Sequence, residues 1–157
     1  MENYNYIIYT DGAYSMKNDE GAFAFVILNG NMEEIMRRAF KIKHETNNRA
    51  ELKAIIGALY QITTWNRKVL VVSDSQYSIK TLSGEWGRKA NEDLFEIYDQ
   101  LIEEREMHVD YKWVRGHNGD KYNEICDEMC VKALGYDPKE EYEKYAQYKK
   151  SRRVAKH

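Results

Sequence analysis

The chain has 157 residues, with 24 lysines and arginines against 26 aspartates and glutamates, and a formal net charge of -2. This length suits one ordinary domain with a short extension and excludes two full domains. The near-neutral charge excludes a polybasic protein of the histone kind and, taken alone, argues against a nucleic-acid partner. A hydrophobic share of 43% excludes a disordered chain and indicates a folded core.

Three strands open the predicted order of elements, at residues 4–10, 22–28 and 34–42. The first is rich in β-branched and aromatic side chains and ends at the turn pair Asp11-Gly12. The second runs into Asn29-Gly30, a strong hairpin signal, so the third strand is expected to pair back on it. The chain is therefore predicted to begin with antiparallel strands.

A helical period replaces the strand pattern after residue 42. Apolar side chains at i, i+3, i+4 and i+7 are Leu52, Ile55, Ile56 and Leu59. Thr46 or Asn47 is expected to cap this helix. The apolar run from Val69 to Val72 then predicts a buried parallel strand over residues 68–73. Further helices are predicted at residues 75–82, from the cap Asn91 to about residue 102, and at 121–134, with a last strand at 107–114.

Antiparallel strands followed by alternating helices and strands predict an α/β fold, with a mixed five-stranded sheet and helices on both faces. Gly135 suits the end of the last helix, and the single proline, Pro138, follows it. We therefore expect one domain over residues 1–135 and a helical, basic-ended extension over residues 136–157. Residues 139–157 carry seven Lys or Arg and three Glu, so this tail is expected either to contact nucleic acid or to pack its tyrosines on the domain.

Four carboxylates occupy positions where acidic residues are uncommon. Asp11 and Asp74 end two strands that are expected to be parallel neighbours, which places both at the carboxyl edge of the sheet, where α/β sheets bind ligands. Glu51 and Asp127 lie in helices beside apolar residues and are expected to point at the same edge. Taken singly, each has an ordinary alternative, as a turn residue, a helix N-cap or a partly solvated helix residue. Their joint occurrence favours a shared site.

Converging carboxylates repel one another, and each would have a raised pKa without compensating cations. Hard divalent cations with oxygen ligands provide that compensation, and Mg²⁺ typically takes a few carboxylates together with phosphate oxygens and water. Two such ions about 4 Å apart clamp both sides of an in-line phosphoryl displacement. The pattern therefore predicts a divalent metal site for phosphoryl chemistry.

Four segments, YTDGAY, TNNRAELKAI, VVSDSQY and GHNGDKYNEICDEM, resemble the active-site blocks of type 1 ribonuclease H in order and spacing. The resemblance runs from about residue 4 to residue 134. It implies a ribonuclease H-like fold and endonucleolytic hydrolysis of the RNA strand of RNA–DNA hybrids, leaving 5′-phosphate and 3′-hydroxyl ends. It also implies two Mg²⁺ ions, with Mn²⁺ as a substitute, bound by Asp11, Glu51, Asp74 and Asp127.

Further residues take roles by the same resemblance. His117, in RGHNGD, matches the family's mobile-loop histidine, which assists proton transfer or product release. Asn47 and Asn48 resemble residues that reach the minor groove near the scissile RNA. Thr46 and Asn91 resemble the pocket for a DNA-strand phosphate, a role compatible with helix N-capping because helix N-termini bind phosphate.

The chain departs from the many family members that carry a basic, tryptophan-rich protrusion after the second predicted helix. Only residues 84–90 separate that helix from Asn91, so the chain resembles the compact forms that lack the protrusion. Trp86, with Arg88 and Lys89, is expected either to stack on and neutralise the DNA strand or to pack against the neighbouring helix.

Other functions stay open on the sequence: a hybrid-binding module without catalysis, another nuclease of the same fold of the integrase or resolvase type, or one domain of a reverse transcriptase. An RNA–DNA hybrid is the expected partner, and the chain is expected to be a monomer. No apolar run approaches the roughly 18 residues of a membrane helix, so no membrane partner is expected. The N-terminus lacks a secretory signal, and two cysteines exclude a disulfide framework, which favours the cytoplasm.

Overall fold

The computed structural model describes residues 3–116 and 119–135. The strands are β1 (Tyr6–Ser15), β2 (Glu20–Asn29), β3 (Glu34–Ile42), β4 (Lys68–Ser73) and β5 (His108–Trp113). The helices are α1 (Asn47–Tyr60), α2 (Gln76–Leu82), α3 (Glu92–Glu104) and α4 (Lys121–Ala133). His117 and the predicted extension over residues 136–157 lie outside the described residues.

The sheet has the strand order β3-β2-β1-β4-β5, and its two halves differ in direction. β1 pairs antiparallel with β2, and β2 pairs antiparallel with β3. β4 lies parallel to both β1 and β5. Helices connect the parallel strands because such strands need crossover connections, whereas the antiparallel strands are joined by short hairpins. The mixed five-stranded sheet predicted from the sequence is therefore confirmed.

Helices cover both faces of this sheet. α1, α2 and α3 share one core with strand residues that include Ile8 and Phe25. α4 packs on the opposite face, where Cys126 and Val131 are fully buried. All of Val69–Ser73 is buried, as expected for a strand covered on both sides. Within residues 3–116 and 119–135, no helix is both long enough and apolar enough to cross a bilayer.

β1 is longer than the sequence pattern indicates. The strand continues to Ser15, and Asp11-Gly12 pairs with β2, so this dipeptide is not a turn. The predicted end of this strand at Thr10 is wrong, because Thr10 is only the last residue that pairs with the parallel strand β4. Pairing of β1 with β4 ends where Thr10 meets Ser73, while pairing with β2 continues. Asp11 therefore follows the last parallel pair and is still held in the antiparallel ladder.

Thr46 and Gly135 end their helices as predicted, Ser75 is a cap that the sequence did not single out, and Asn91 caps only by its position. Thr46 caps α1 by accepting a hydrogen bond from the Arg49 N–H at 3.1 Å, and the Ser75 hydroxyl caps α2. Gly135 follows α4 with φ +86°, the left-handed conformation that ends many helices. Asn91 precedes α3, but it has φ +61° and makes no side-chain capping bond. Asn91 is therefore the N-cap residue of α3 as predicted, but its side-chain amide binds Arg49 and Tyr77 rather than the helix terminus.

Candidate active site

Three carboxylates meet at the carboxyl edge of the sheet. Asp11 comes from β1, Glu51 from α1 and Asp74 from the turn after β4, and one oxygen of each lies within 4.8 Å of the others. The exposed fractions of these residues are 1%, 1% and 8%. We refer to them as the acidic triad. The structure thus brings together three of the four carboxylates that the sequence singles out.

Glu51 reaches the sheet because α1 lies very close to β1. Gly12 has no side chain, and a Cβ there would lie 2.9 Å from the carbonyl carbon of Ala50 and 3.0 Å from the Glu51 nitrogen. Any other residue would push the helix away from the strand. The Gly12 N–H also donates to Oδ1 of Asp11 at 3.0 Å. One dipeptide therefore supplies a carboxylate, its orientation and the space for the second carboxylate.

Asp74 lies in a turn whose backbone is hydrogen-bonded from two sides. The Ser73 carbonyl accepts from the Val114 N–H at 3.0 Å, and the Ser73 hydroxyl accepts from the Ser75 N–H at 3.0 Å. The indole N–H of Trp113 donates to the carbonyl oxygen of Asp74 at 3.1 Å. The end of β5 and the start of α2 therefore fix this turn between them.

Asp127 is buried on α4, on the other face of the sheet. The neighbouring thiols of Cys126 and Cys130 lie 3.4 Å and 3.9 Å from the carbonyl oxygens of Tyr9 and Asp11, which sets this side of α4 against β1. Asp127 is not in the group of carboxylates that meet within 4.8 Å among the described residues. The structure thus places Asp127 beside β1 without bringing its carboxylate into the acidic triad.

The predicted substrate-binding residues Thr46, Asn47 and Asn48 form the entry to α1. The Thr46 hydroxyl is the N-cap acceptor, and Oδ1 of Asn47 accepts the N–H of Tyr14 at 2.7 Å. This bond ties the Asn47 side chain to β1. Oδ1 of Asn48 is buried and has no hydrogen-bond partner within the described part of the chain.

Asn91 lies where α1, α2 and α3 meet. Its Nδ2 donates to the Tyr77 hydroxyl at 2.9 Å, and its Oδ1 accepts from Arg49 at 3.4 Å. The Arg49 guanidinium also donates to both oxygens of Asp93 at 2.8 Å and to Glu45 at 2.9 Å. The amide of Asn91 is therefore oriented by two helices other than its own.

Glu45, Arg49, Lys53 and Asp93 form what we call the Arg49 cluster, because Lys53 also pairs with Glu45. The hydrogen bonds from Arg49 lower the pKa of Asp93 to about 2, and the same pair raises the pKa of Arg49. Both partners are charged throughout the neutral range. This cluster is a permanent ion-pair network beside the predicted phosphate pocket.

The short loop after α2 presents one exposed aromatic ring. Trp86 is 43% exposed, and its backbone N–H donates to the Lys80 carbonyl at 2.9 Å. Arg88 donates to both oxygens of Asp99 at 2.9 Å and 2.7 Å and lies 4.7 Å from the ring centroid of Phe95. Arg88 therefore holds this loop on α3, where the Trp86 ring stays exposed.

A family model described as RNase H matches residues 3–134. The chain belongs to the ribonuclease H family. Ribonuclease HI of Synechocystis sp. is 34% identical over 146 residues, which cover 83% of this chain and 88% of that protein. Ribonuclease H of Wolbachia pipientis wMel is 32% identical over 149 residues, covering 85% of this chain and 98% of that protein.

Solved structures agree in fold. The N-terminal ribonuclease H domain of a Mycobacterium tuberculosis protein superimposes with a TM-score of 0.71 at 19% identity, covering 85% of this chain and 95% of that one. LC11-RNase H1, solved in complex with an RNA/DNA hybrid, gives a TM-score of 0.70 at 22% identity, covering 82% and 99%. The predicted ribonuclease H-like fold is therefore confirmed.

The acidic triad of this ribonuclease H suits a hard divalent cation. Its donors are carboxylate oxygens alone, which hard cations prefer, and they converge in a buried setting where negative charges at close range need a cation to balance them. The two cysteines nearby point their thiols at backbone carbonyls of β1. The donor set therefore fits a divalent ion of the Mg²⁺ type.

Two residues of the ribonuclease H site were not found from the sequence, Tyr77 and Trp113. Trp113 had a partial signal, because it lies within the final strand predicted over residues 107–114, and in the structure it pairs with Ser73 in the parallel ladder. That register places its side chain next to Asp74. Tyr77 had none, since its bond to Asn91 depends on how α2 packs beside the start of α3.

Proposed function

We propose that this ribonuclease H hydrolyses the RNA strand of RNA–DNA hybrids endonucleolytically at the acidic triad, leaving 5′-phosphate and 3′-hydroxyl ends. The observation that carries the proposal is the convergence of Asp11, Glu51 and Asp74 at the carboxyl edge of the sheet, in a chain of this family. The hybrid bound to LC11-RNase H1 supports the choice of substrate.

Asp11, Glu51, Asp74 and Asp127 are assigned to binding two Mg²⁺ ions, with Mn²⁺ as a substitute. When bound, such ions make water a stronger nucleophile at neutral pH and neutralise the charge that develops on the phosphate. The chain's own part is to hold carboxylates in place, through the β1 ladder, the close approach of α1 and the doubly bonded turn after β4. The assignment of Asp127 rests on its match to the fourth family block and on its burial beside β1.

His117 is assigned to proton transfer or product release. The assignment rests on the RGHNGD segment and on the near-neutral pKa that histidines ordinarily have, which suits both accepting and donating a proton. Gly119, two residues on, has φ +79°, a conformation that glycine adopts without steric cost.

Substrate contacts are assigned to the entry of α1 and to the meeting point of the helices. Asn47 and Asn48 are assigned to the minor groove near the scissile RNA, where short amides read the ribose 2′-hydroxyl and base edges. Thr46 and Asn91 stand before the N-termini of α1 and α3, where backbone N–H groups favour phosphate. Trp86 provides a ring for stacking on the DNA strand.

The chain is proposed to act as a monomer in the cytoplasm, with residues 1–135 as the catalytic domain and residues 136–157 as an accessory basic tail. Its two cysteines are reduced and buried, which fits a reducing compartment. Two bound Mg²⁺ ions would move the formal charge from -2 to about +2, so the net charge is compatible with a polyanionic substrate.

The test is a cleavage assay with Mg²⁺ on four substrates of one sequence: hybrid, duplex DNA, duplex RNA and single-stranded RNA. The wild-type chain should cut only the RNA of the hybrid, and Asp74→Asn should cut it about 10³-fold more slowly. Asp110→Asn, in the edge strand β5, is the control for loss of a carboxylate. Hybrid binding without cleavage would favour the inactive module, and cleavage of duplex DNA would favour an integrase-like or resolvase-like nuclease.

A further inference from the structure

A set of polar contacts outside the acidic triad joins the β1–β2 hairpin to the segment that leads into α1. Asp19, in the hairpin turn, accepts hydrogen bonds at Oδ1 from the Tyr14 hydroxyl and, at 2.9 Å, from the His44 backbone N–H. Its Oδ2 lies 2.8 Å from Nδ1 of His44. The Asp19 carboxylate therefore joins the β1–β2 hairpin to His44, which is 25 residues further along the chain.

Tyr14 extends these contacts to the first residue of α1. Its hydroxyl donates to Asp19, and its backbone N–H donates to Oδ1 of Asn47 at 2.7 Å. Asn47 is 8% exposed and follows the N-cap Thr46 directly. The segment between His44 and Asn47 is thus fixed at both ends by contacts to the same hairpin.

The backbone is left-handed at both ends of the Asp19–His44 contact. Asp19 has φ +48° and His44 has φ +59°, a region that is uncommon for residues with a side chain, although aspartate and histidine enter it more readily than most. Such conformations persist where surrounding contacts hold them. Here the carboxylate of Asp19 holds His44, because it accepts a hydrogen bond from the His44 backbone N–H at 2.9 Å.

We propose that Asp19 is a positioning residue for hybrid binding: by holding His44 it fixes residues 43–46 and so sets Thr46 and Asn47 against the substrate. Asp19 acts through these residues and is not itself assigned a substrate contact. The inference rests on the proposed function, because Thr46 and Asn47 take their roles from it.

The chain offers a matched control for this pair. Tyr4 donates its hydroxyl to Oδ2 of Asp110 at 2.6 Å, which is again a tyrosine–aspartate bond with an exposed carboxylate. Asp110 lies in the edge strand β5 and has no assigned role in the site. Removing it therefore measures the general effect of losing such a bond.

The experiment measures kcat and KM for hybrid cleavage at saturating Mg²⁺ in wild type, Asp19→Ala, Asp19→Asn and Asp110→Ala. Asp19→Ala should raise KM about tenfold and leave kcat within about twofold, because substrate positioning is lost while the triad is intact. Asp19→Asn keeps an acceptor for the His44 N–H and should raise KM about threefold. Asp110→Ala should leave both constants within about twofold, and the Mg²⁺ concentration for half-maximal activity should be unchanged in all variants.

A KM for Asp19→Ala within about twofold of wild type would overturn the positioning role, as would an equal rise in Asp110→Ala. A fall in kcat together with a higher Mg²⁺ requirement would also overturn it, since the contacts would then support the metal site. If Asp19→Ala does not fold, Asp19→Asn is used instead, and a KM within about twofold of wild type would overturn the positioning role. A wild-type chain that cleaves no hybrid would overturn the proposed function, whereas an unchanged KM in a cleaving enzyme would overturn the positioning role alone.

Discussion

Two acidic clusters lie near the first turns of α1, and they differ in what they are built around. In the Arg49 cluster, Glu45 and Asp93 both accept hydrogen bonds from the Arg49 guanidinium. In the acidic triad, the oxygens of three carboxylates lie within 4.8 Å of one another. The Arg49 cluster contains two cations, Arg49 and Lys53, whereas the acidic triad brings together three carboxylate oxygens.

This difference separates a structural ion-pair network from a site that suits a cation from solution. Asp93 is well exposed, with 61% of its side chain accessible, so its pair with Arg49 adds little beyond local order. The carboxylates of the acidic triad are buried, and burying like charges together is unfavourable unless a cation compensates. Mutations in the acidic triad should therefore lower activity, whereas mutations in the Arg49 cluster should slightly lower stability.

The largest expected effect is on catalysis. Asp74→Asn removes one charged ligand of the acidic triad and should lower kcat by about 10³-fold, a loss of several kcal/mol of transition-state stabilisation. The variant should fold, with an unfolding temperature in EDTA no lower than that of wild type, because a repelling charge is removed. Steady-state kinetics and thermal unfolding measure the two effects. A variant with a kcat close to that of wild type would show that the acidic triad is not the catalytic site.

Metal removal should separate the clusters without any mutation. EDTA should abolish cleavage, and Mg²⁺ at 100 times its Kd should stabilise the wild-type chain by about 2.7 kcal/mol through selective binding to the folded state. Asp74→Asn should lose this stabilisation, while Asp93→Asn should keep it. Thermal unfolding at several Mg²⁺ concentrations provides the measurement, and equal stabilisation of the two variants would contradict the assignment of the site.

Trp113→Phe tests a residue that supports the acidic triad from outside. The variant keeps an aromatic ring but loses the N–H that donates to the Asp74 carbonyl at 3.1 Å. Outer contacts of this kind orient metal ligands, so Mg²⁺ affinity should fall about fivefold to tenfold, with activity restored at saturating Mg²⁺. Titration calorimetry with Mg²⁺ measures the change. Trp65→Phe, at an exposed position of the loop after α1, is the control.

The smallest effect is expected at the Arg49 cluster. Because Arg49 lowers the pKa of Asp93 from 3.8 to about 2, the carboxylate stabilises the fold above about pH 4, and that contribution is lost as the pH falls towards 2. Asp93→Asn should therefore unfold at a slightly lower temperature than wild type at neutral pH, and the difference should shrink between pH 4 and pH 2. A difference that grows on acidification would contradict this sign.

Much of the fold was predictable because its signals are local. The apolar run of β4, the period of α1 and the Asn29-Gly30 hairpin each depend on neighbouring residues, and all three are present as predicted. The extension of β1 to Ser15 was missed because Asp11-Gly12 has the local signature of a turn. Pairing with β2 overrides that signature, and the residues of a strand do not by themselves determine which strand it pairs with.

The site was predictable to the extent that sheet topology determines it. Asp11 and Asp74 each come directly after the last pair of the parallel β1–β4 ladder, so their meeting follows from the strand order. The close approach that brings Glu51 in depends on Gly12, whose importance appears only when α1 is packed on β1. Asn91 takes the predicted N-cap position of α3, but its side-chain amide binds Tyr77 and Arg49, contacts that depend on how the helices pack.

Anomalous diffraction can show whether the acidic triad is a divalent metal site. Crystals of the wild-type chain grown with Mn²⁺ should show an anomalous peak within coordination distance of carboxylate oxygens of Asp11, Glu51 and Asp74. A data set that shows Mn²⁺ bound elsewhere on the chain, with no peak at these three carboxylates, would contradict the account.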